Sequence, residues 1–421
     1  MPAFFFKHRR EERPSRPLLL PLNNVAIIGA GLAGLGLSLF LKQHNIHSTI
    51  YELRPAAVTS AGAVMLAPNA LRSLDAISVY ARIAPQGYHF RDLTFRNNAH
   101  EYLDAYEMGN AERYGYDALR IYRQALLDAH KAAIAAAGIP IVYGKRFSHI
   151  VSESAEEGIT FAFTDGEQYT VDLLVGADGI HSSVRKFLDP DVAPAFSGVM
   201  AIMCALPTAA VKLPFEPYPT PISIHGAGGA WVMAPQNPAG SELLGGIQYR
   251  THARDRAEWE ALGRDKAQLM AMVREQYEKW NLMVQSAMDA VKPEDLSIWA
   301  FHTVPKLRTW SSSPGKMVLL GDAAHAISPA AGQGVNQAFE DAHALALVMA
   351  AANEGRVEWR RGLDWWQAYK QARIDRVNAL TDEMNKRRVP NWDPKGAETI
   401  DSSWMFGVQI AEDVRKWVEA Q

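Results

Sequence analysis

The run Gly29-Ala30-Gly31-Leu32-Ala33-Gly34 and the carboxylate of Glu52 have the types and spacing of a site for a pyrophosphate and a ribose. Glycine at the first position allows a tight turn, at the second lets an anion approach the backbone, and at the third lets a helix close on its strand. The free N–H groups of that helix then face the anion. Glu52 ends the next extended run, where a carboxylate accepts hydrogen bonds from a ribose. The glycines alone are a weak signal, because a turn between strand and helix can be purely structural. With strand, helix and acid in place they read as a dinucleotide site, and they leave open which dinucleotide.

Two further runs lie far along the chain. Asp172-Leu173-Leu174-Val175-Gly176-Ala177-Asp178-Gly179 continues to Ser183-Val184-Arg185, and Gly321-Asp322-Ala323-Ala324-His325 continues through Pro329, Gly332, Gly334 and Asn336 to Asp341. In this order, behind the glycine run, they make the chain resemble the class A flavoprotein aromatic hydroxylases, the family of para-hydroxybenzoate and salicylate hydroxylases. The resemblance covers residues 25–376. It implies an FAD-dependent monooxygenase with non-covalent FAD, NADPH or NADH as a transient electron donor, and one oxygen atom passed from O2 through a flavin C4a-hydroperoxide to a small aromatic substrate by hydroxylation or epoxidation. The implied cofactor residues are Gly29, Gly31, Gly34, Glu52, Ala63, Arg123, Asp178, Asp322, Pro329, Gly332, Gly334, Val335 and Asn336. Asp178 belongs to a motif that in this family lies near flavin and nicotinamide, and Arg123 matches an arginine that meets the flavin side chain or pyrophosphate. Gly62-Ala63-Val64 resembles a stretch whose backbone faces the flavin, with Ala61 or Ala63 where the pattern has one more glycine.

The residues support parts of this independently. Asp322 ends an apolar strand, where a carboxylate can hold ribityl hydroxyls, although a helix cap is the plainer alternative. Residues 329–334 form a stiff, glycine-rich entry to a helix whose positive end suits an anion. Asp178 among glycines also reads as a turn carboxylate, and Arg123 as a surface arginine.

Substrate contacts are expected from extended segments, because the nucleotide layer is taken by FAD. Ser223 and His225 share one strand face by the period of two, as do Gln248 and Arg250. His302 is a further candidate. His225, Gln248 and His302 are the choices for polarising a phenol or accepting its proton, with a satisfied structural polar group as the alternative for each. Trp231, Met233 and Tyr249 line an apolar pocket or pack a core.

These residues need a fold to hold them. Residues 25–28, the helical spacing through Leu41 and the run 48–52 give strand, turn, helix, strand. A helix is expected at 122–138, a strand at 140–142, and a hairpin between 160–163 and 169–175 around Asp165-Gly166. Extended runs separated by Gly and Pro from 196 to 250 form a sheet of their own. The expected class is α/β, a Rossmann-like FAD-binding domain with an inserted antiparallel-sheet substrate domain and C-terminal helices. Its boundaries are a flexible lead-in at 1–22, FAD-binding segments 23–90, 111–190 and 296–345, substrate segments 91–110 and 191–295, and C-terminal helices over 346–421.

With 43 Lys and Arg against 46 Asp and Glu, the net charge is −3, and no segment concentrates cations for a nucleic-acid groove. One cysteine, Cys204, excludes an intrachain disulfide and a thiolate cluster, and no His-Glu-x-x-His spacing suggests a metal. Apolar runs are too short to span a bilayer. The expectation is a soluble, cytoplasmic monomer or homodimer. An FAD-linked dehydrogenase or reductase and a non-enzymatic carrier of the same fold are the competing readings. A flavin halogenase is disfavoured because Trp-x-Trp-x-Ile-Pro is absent.

Overall fold

The computed structural model describes residues 21–56, 58, 62–226, 229–386 and 400–421. The expected lead-in lies outside the described residues up to residue 20, as does Ala61. A five-stranded parallel sheet runs in the order Met317–Leu319, Leu173–Gly176, Asn24–Ile28, His47–Glu52 and Ile141–Tyr143. Leu173–Gly176, Met317–Leu319 and residues 25–28 are continuous apolar runs because both faces are covered, and Val25, Ala26 and Ile27 are fully buried. Helices Leu32–Gln43 and Gly334–Asn353 pack on each other. Gly36 makes that approach possible, since a Cβ there would lie 3.0 Å from the Phe339 ring. The helix expected at 122–138 spans Arg123–Ala136 and stops before Gly138 in its left-handed conformation.

The run 169–175 is not one strand. Gln168–Val171 pairs with Gly158–Phe163, which pairs with Phe147–Ser154, whereas Leu173–Gly176 enters the parallel sheet. The break falls at Asp172, whose carboxylate accepts the N–H groups of Asn23 and Asn24 at 2.9 and 2.8 Å. The switch from an alternating pattern to three consecutive apolar residues marks the change of sheet.

A seven-stranded sheet runs in the order Ser297–Thr303, Ala195–Pro207, Glu242–Arg250, Gly229–Pro235, Ile222–Gly226, Asp92–Asn97 and Tyr102–Glu107. It departs from the expected antiparallel pattern at one seam, where Ile222–Gly226 lies parallel to Asp92–Asn97. These two strands come from distant segments, so no hairpin dictates their direction. Ser297–Thr303, expected within the FAD-binding segment that begins at 296, is instead the edge strand of this sheet, bonded to Ala195–Pro207. One face of the sheet carries Met200, Ile202, Trp231, Met233 and Ile247, buried in a core shared with helices Arg256–Arg264, Lys266–Val273 and Leu282–Asp289. The other face roofs a cleft. A small sheet of Ala63–Leu66, Ala118–Tyr122 and Tyr88–Phe90 forms part of its wall.

The helix Trp359–Lys386 backs Gly334–Asn353. In the last helix, Ile410–Glu419, the buried residues Ile410, Val414 and Val418 recur every four positions and seat it on the body. No described helix is long and apolar enough to cross a membrane.

Candidate active site

Between the parallel layer and the roof lies a cavity of about 360 Å³, within the range of small-molecule sites. Of the residues singled out in the sequence, it brings together Gly31, Ala63, Arg123, Gln248, Asp322, Pro329, Gly332, Gly334 and Val335. Gly29, Gly34, Glu52, Asp178, Asn336, His225 and His302 do not line it.

The glycines divide by physical cause. A Cβ on Gly29 would lie 2.5 Å from the Ala177 carbonyl oxygen, and one on Gly34 would lie 2.1 Å from the carbonyl oxygen of Gly29. These two are required by the packing of turn, helix and strand. Gly31 and Gly334 differ, because a Cβ on either would meet nothing within 4 Å and neither has a left-handed φ. Both line the cavity at the starts of the helices Leu32–Gln43 and Gly334–Asn353, and neither helix has a side-chain cap. Their uncapped N–H groups and positive dipole ends are open to an anionic ligand. The cradle therefore fits a flavin dinucleotide at two points that the protein's own packing does not explain.

Glu52 holds the turn from behind. Its Oε2 accepts the Ala30 N–H at 2.8 Å and its Oε1 the Arg54 N–H at 2.9 Å. Asp322 follows Gly321 at the end of the strand Met317–Leu319, and its carboxylate borders the open cavity while protein surrounds it. That desolvation raises its pKa above the ordinary carboxylate value, against the pull of His325 and Arg123. Asp341 positions the turn by accepting the Gly321 N–H at 2.9 Å and pairing with His325 Nε2 at 2.5 Å.

Asp178 serves its own loop. It accepts the Ser182 hydroxyl at 2.5 Å and the N–H groups of Ser183 and Val184 at 2.6 and 3.3 Å. Burial raises its pKa while these donors oppose the shift. Arg185 extends the clamp by donating to the carbonyls of Ala323 and Ile180, at 2.9 and 2.6 Å. Asn336 is likewise a clamp, accepting from Ala67 N–H at 2.8 Å and donating to the carbonyls of Met65 and Gly332 at 3.1 and 2.7 Å.

On the roof, Gln248 shares a face with Ala201 and Trp299 through the registers of their strands, and all three reach the cavity. His302 alternates with Trp299 and Phe301 and so faces away, with its ring against Phe196 and Nδ1 donating to the Ala300 carbonyl at 3.1 Å. His225 is buried edge-on to Phe95. Trp231 and Met233 lie in the core on the far side of the sheet, and the Tyr249 hydroxyl donates to the Met272 carbonyl there. Sequence reasoning missed Arg120, Met65, Met108, Met203, Trp299 and Phe301, all in the cavity wall. The signal for Arg120 was a lone charge inside the apolar strand Ala118–Tyr122.

A family profile described as an FAD binding domain matches residues 23–384. The chain belongs to this family. Several curated relatives are named as monooxygenases or hydroxylases of aromatic compounds. A 3-amino-4-hydroxybenzoate 2-monooxygenase, PtnB3 of Streptomyces platensis, is 28% identical over 404 residues, covering 92% of this chain and 96% of the relative. The 6-hydroxynicotinate 3-monooxygenase of Pseudomonas fluorescens is 24% identical over 393 residues, covering 92% and 95%. Among solved structures, Klebsiella pneumoniae HpxO complexed with FAD and uric acid superposes with a TM-score of 0.73 at 20% identity, covering 96% of this chain and 98% of that one, which supports the fold. The protein is a class A flavoprotein, an FAD-dependent monooxygenase that hydroxylates an aromatic small molecule with O2.

Proposed function

We propose that NADPH or NADH supplies the electrons, that FAD is held by the cradle of Gly31, Arg123, Asp322 and Gly334, and that the aromatic ring sits under the roof beside Gln248. When bound, the flavin accepts hydride from the nicotinamide and activates O2, and the protein supplies position and exclusion of water. Asp322 accepts ribityl hydroxyls, Arg123 offsets pyrophosphate charge, and the uncapped N–H groups before Val335 face the electron-rich edge of the flavin. Glu52 keeps a role at the adenosine ribose, because a carboxylate can accept more bonds than the two it makes here. Met65, Met203, Trp299 and Phe301 make the ring compartment apolar. Gln248 orients the ring's polar substituent by a hydrogen bond. Gly31 and Gly334 are the observation that carries this reading. The absence of a second glycine fingerprint supports transient, surface binding of the nicotinamide. A cytoplasmic monomer or homodimer, without a nucleic-acid or membrane partner, completes the proposal, supported by one buried cysteine and a net charge of −3.

The test is direct. The purified chain is expected to be yellow, to release FAD on denaturation, and to oxidise NAD(P)H faster when a ring substrate is added, with a product heavier by one oxygen atom. Asp322→Ala is expected to weaken FAD binding by about tenfold to a hundredfold, the loss of a charged hydrogen-bond partner. Asp178→Ala is expected to leave FAD affinity nearly intact and to lower stability by about 1–3 kcal/mol, because the donors of residues 182–184 lose their acceptor. Equal loss of FAD from both variants would reject this division of roles.

A further inference from the structure

Arg120 projects from the middle strand of the small sheet, paired across to Met65 on one side and Tyr88 on the other. It is 4% exposed and lines the cavity among Met65, Leu93 and Met108. Nη2 donates to Gln236 Oε1 at 3.3 Å, Nε has no partner, and among the described residues no carboxylate forms an ion pair with it. Gln236 leads on to Glu242 by a bond of 3.4 Å, and Glu242 is itself held by the Tyr122 hydroxyl. Burial lowers the guanidinium pKa to about 10, so the group stays cationic at neutral pH.

Such a charge is expensive in an apolar wall unless something else compensates it. Arg373 and Lys370 meet Glu340, and Arg185 donates to two carbonyls. Arg120 has one neutral acceptor at a long distance. The cavity that it borders is where an anion would complete it.

Two partners enter this cavity on the hydroxylase reading, the cofactor with its pyrophosphate and the substrate. Arg123 is the arginine whose charge reaches Asp322, on the cofactor side. Arg120, three positions earlier on the strand Ala118–Tyr122, reaches instead to Gln236, the residue after the roof strand Gly229–Pro235. We propose that Arg120 is the anion anchor of the substrate site and that the ring substrate carries a carboxylate, which the guanidinium receives. This rests on the reading of the cavity as an FAD-dependent hydroxylase site. It adds the charge of the substrate and the residue that selects it.

The experiment uses the full chain loaded with FAD and follows the flavin absorption band as benzoate, salicylate, benzamide or salicylamide is added. Each amide matches its acid in shape and lacks the charge. The acids are expected to bind about tenfold or more tighter than the amides. In Arg120→Met the acids should bind no better than the amides, with FAD content unchanged. Arg120→Lys, which keeps the charge and loses the planar fork, should retain part of the preference, and it keeps the test open if the Met variant fails to fold. Amides binding as tightly as acids, neither acid binding the yellow protein, or acid preference surviving in Arg120→Met would each overturn the proposal. So would loss of FAD from Arg120→Met with acid preference intact, which would make the flavin its partner. A colourless protein that takes up no FAD fails earlier, at the hydroxylase reading itself.

Discussion

Two buried arginines of this chain are treated in opposite ways. Arg373 donates to both oxygens of Glu340, at 2.6 and 2.9 Å, and Glu340 also receives Lys370 at 2.6 Å and Asn69 at 2.6 Å. Every member of that cluster has a fixed partner within the protein. Burial alone would raise the Glu340 pKa, yet Arg373 and Lys370 hold it well below the ordinary carboxylate value. Arg120 is as deeply enclosed and, among the described residues, bonds to Gln236 alone. The satisfied cluster ties helix Gly334–Asn353 to helix Trp359–Lys386. The unsatisfied arginine faces the open cavity. A completed ion network reads as architecture, and an incomplete one at a cavity wall reads as a place kept for a ligand.

The contrast can be broken most severely at Glu340. Glu340→Ala leaves Arg373 buried without its carboxylate partner and Lys370 with the more distant Asp341, 3.5 Å away, and is expected to cost about 3–5 kcal/mol, read from the midpoint of urea unfolding. A loss below 1 kcal/mol would mean that the cluster contributes little.

Acid should erase this difference. Because the Glu340 pKa is depressed by folding, its contribution is fully present above the unfolded value near 4.5 and is lost as pH falls through the folded value. The stability gap between wild type and Glu340→Ala is therefore expected to be widest near neutral pH and to shrink below about pH 4.5. A gap independent of pH would show that shape and not charge matters at this position.

Arg120→Met goes the other way. Removing a charge with no ionic partner should leave the ligand-free protein unchanged or stabilise it by about 1 kcal/mol, seen as an equal or higher melting temperature. A strong destabilisation would identify Arg120 as structural. The smallest effect belongs to the exposed pair Lys306 and Asp375, 2.8 Å apart with both side chains about half open to solvent. Lys306→Ala is expected to change stability by less than about 1 kcal/mol and serves as the baseline for the others.

What could be read in advance follows the range of the interactions. The glycine turn was legible because strand, turn and helix are consecutive, and the cavity wall at 329–335 likewise came from one short run. The hydrogen bonds of Asp178 are also local, since all three of its donors lie within residues 182–184, which is the pattern of a turn carboxylate. The roof was a different case. A period of two separates Trp299 and Phe301 from His302, but which set meets the cavity depends on the helices that cover the opposite face. No spacing within residues 297–303 contains that information. Arg120 stood out as a charge in an apolar strand, and its meaning emerged only with Gln236, 116 positions away.

The Asn336 clamp has a consequence for how the protein is made. It joins Ala67 to Asn336 across 269 positions, and the uncapped helix start at Gly334 and the carboxylate of Asp322 come from the same late part of the chain. Translation at about 5–20 residues per second separates the two halves of the cradle by tens of seconds. Throughout that interval the early glycine turn exists without the wall that faces it, and the helix face around Gly36 waits for Phe339. Cofactor capture by this cradle is therefore a late event in the life of the chain, possible once the helix that begins at Gly334 has been made.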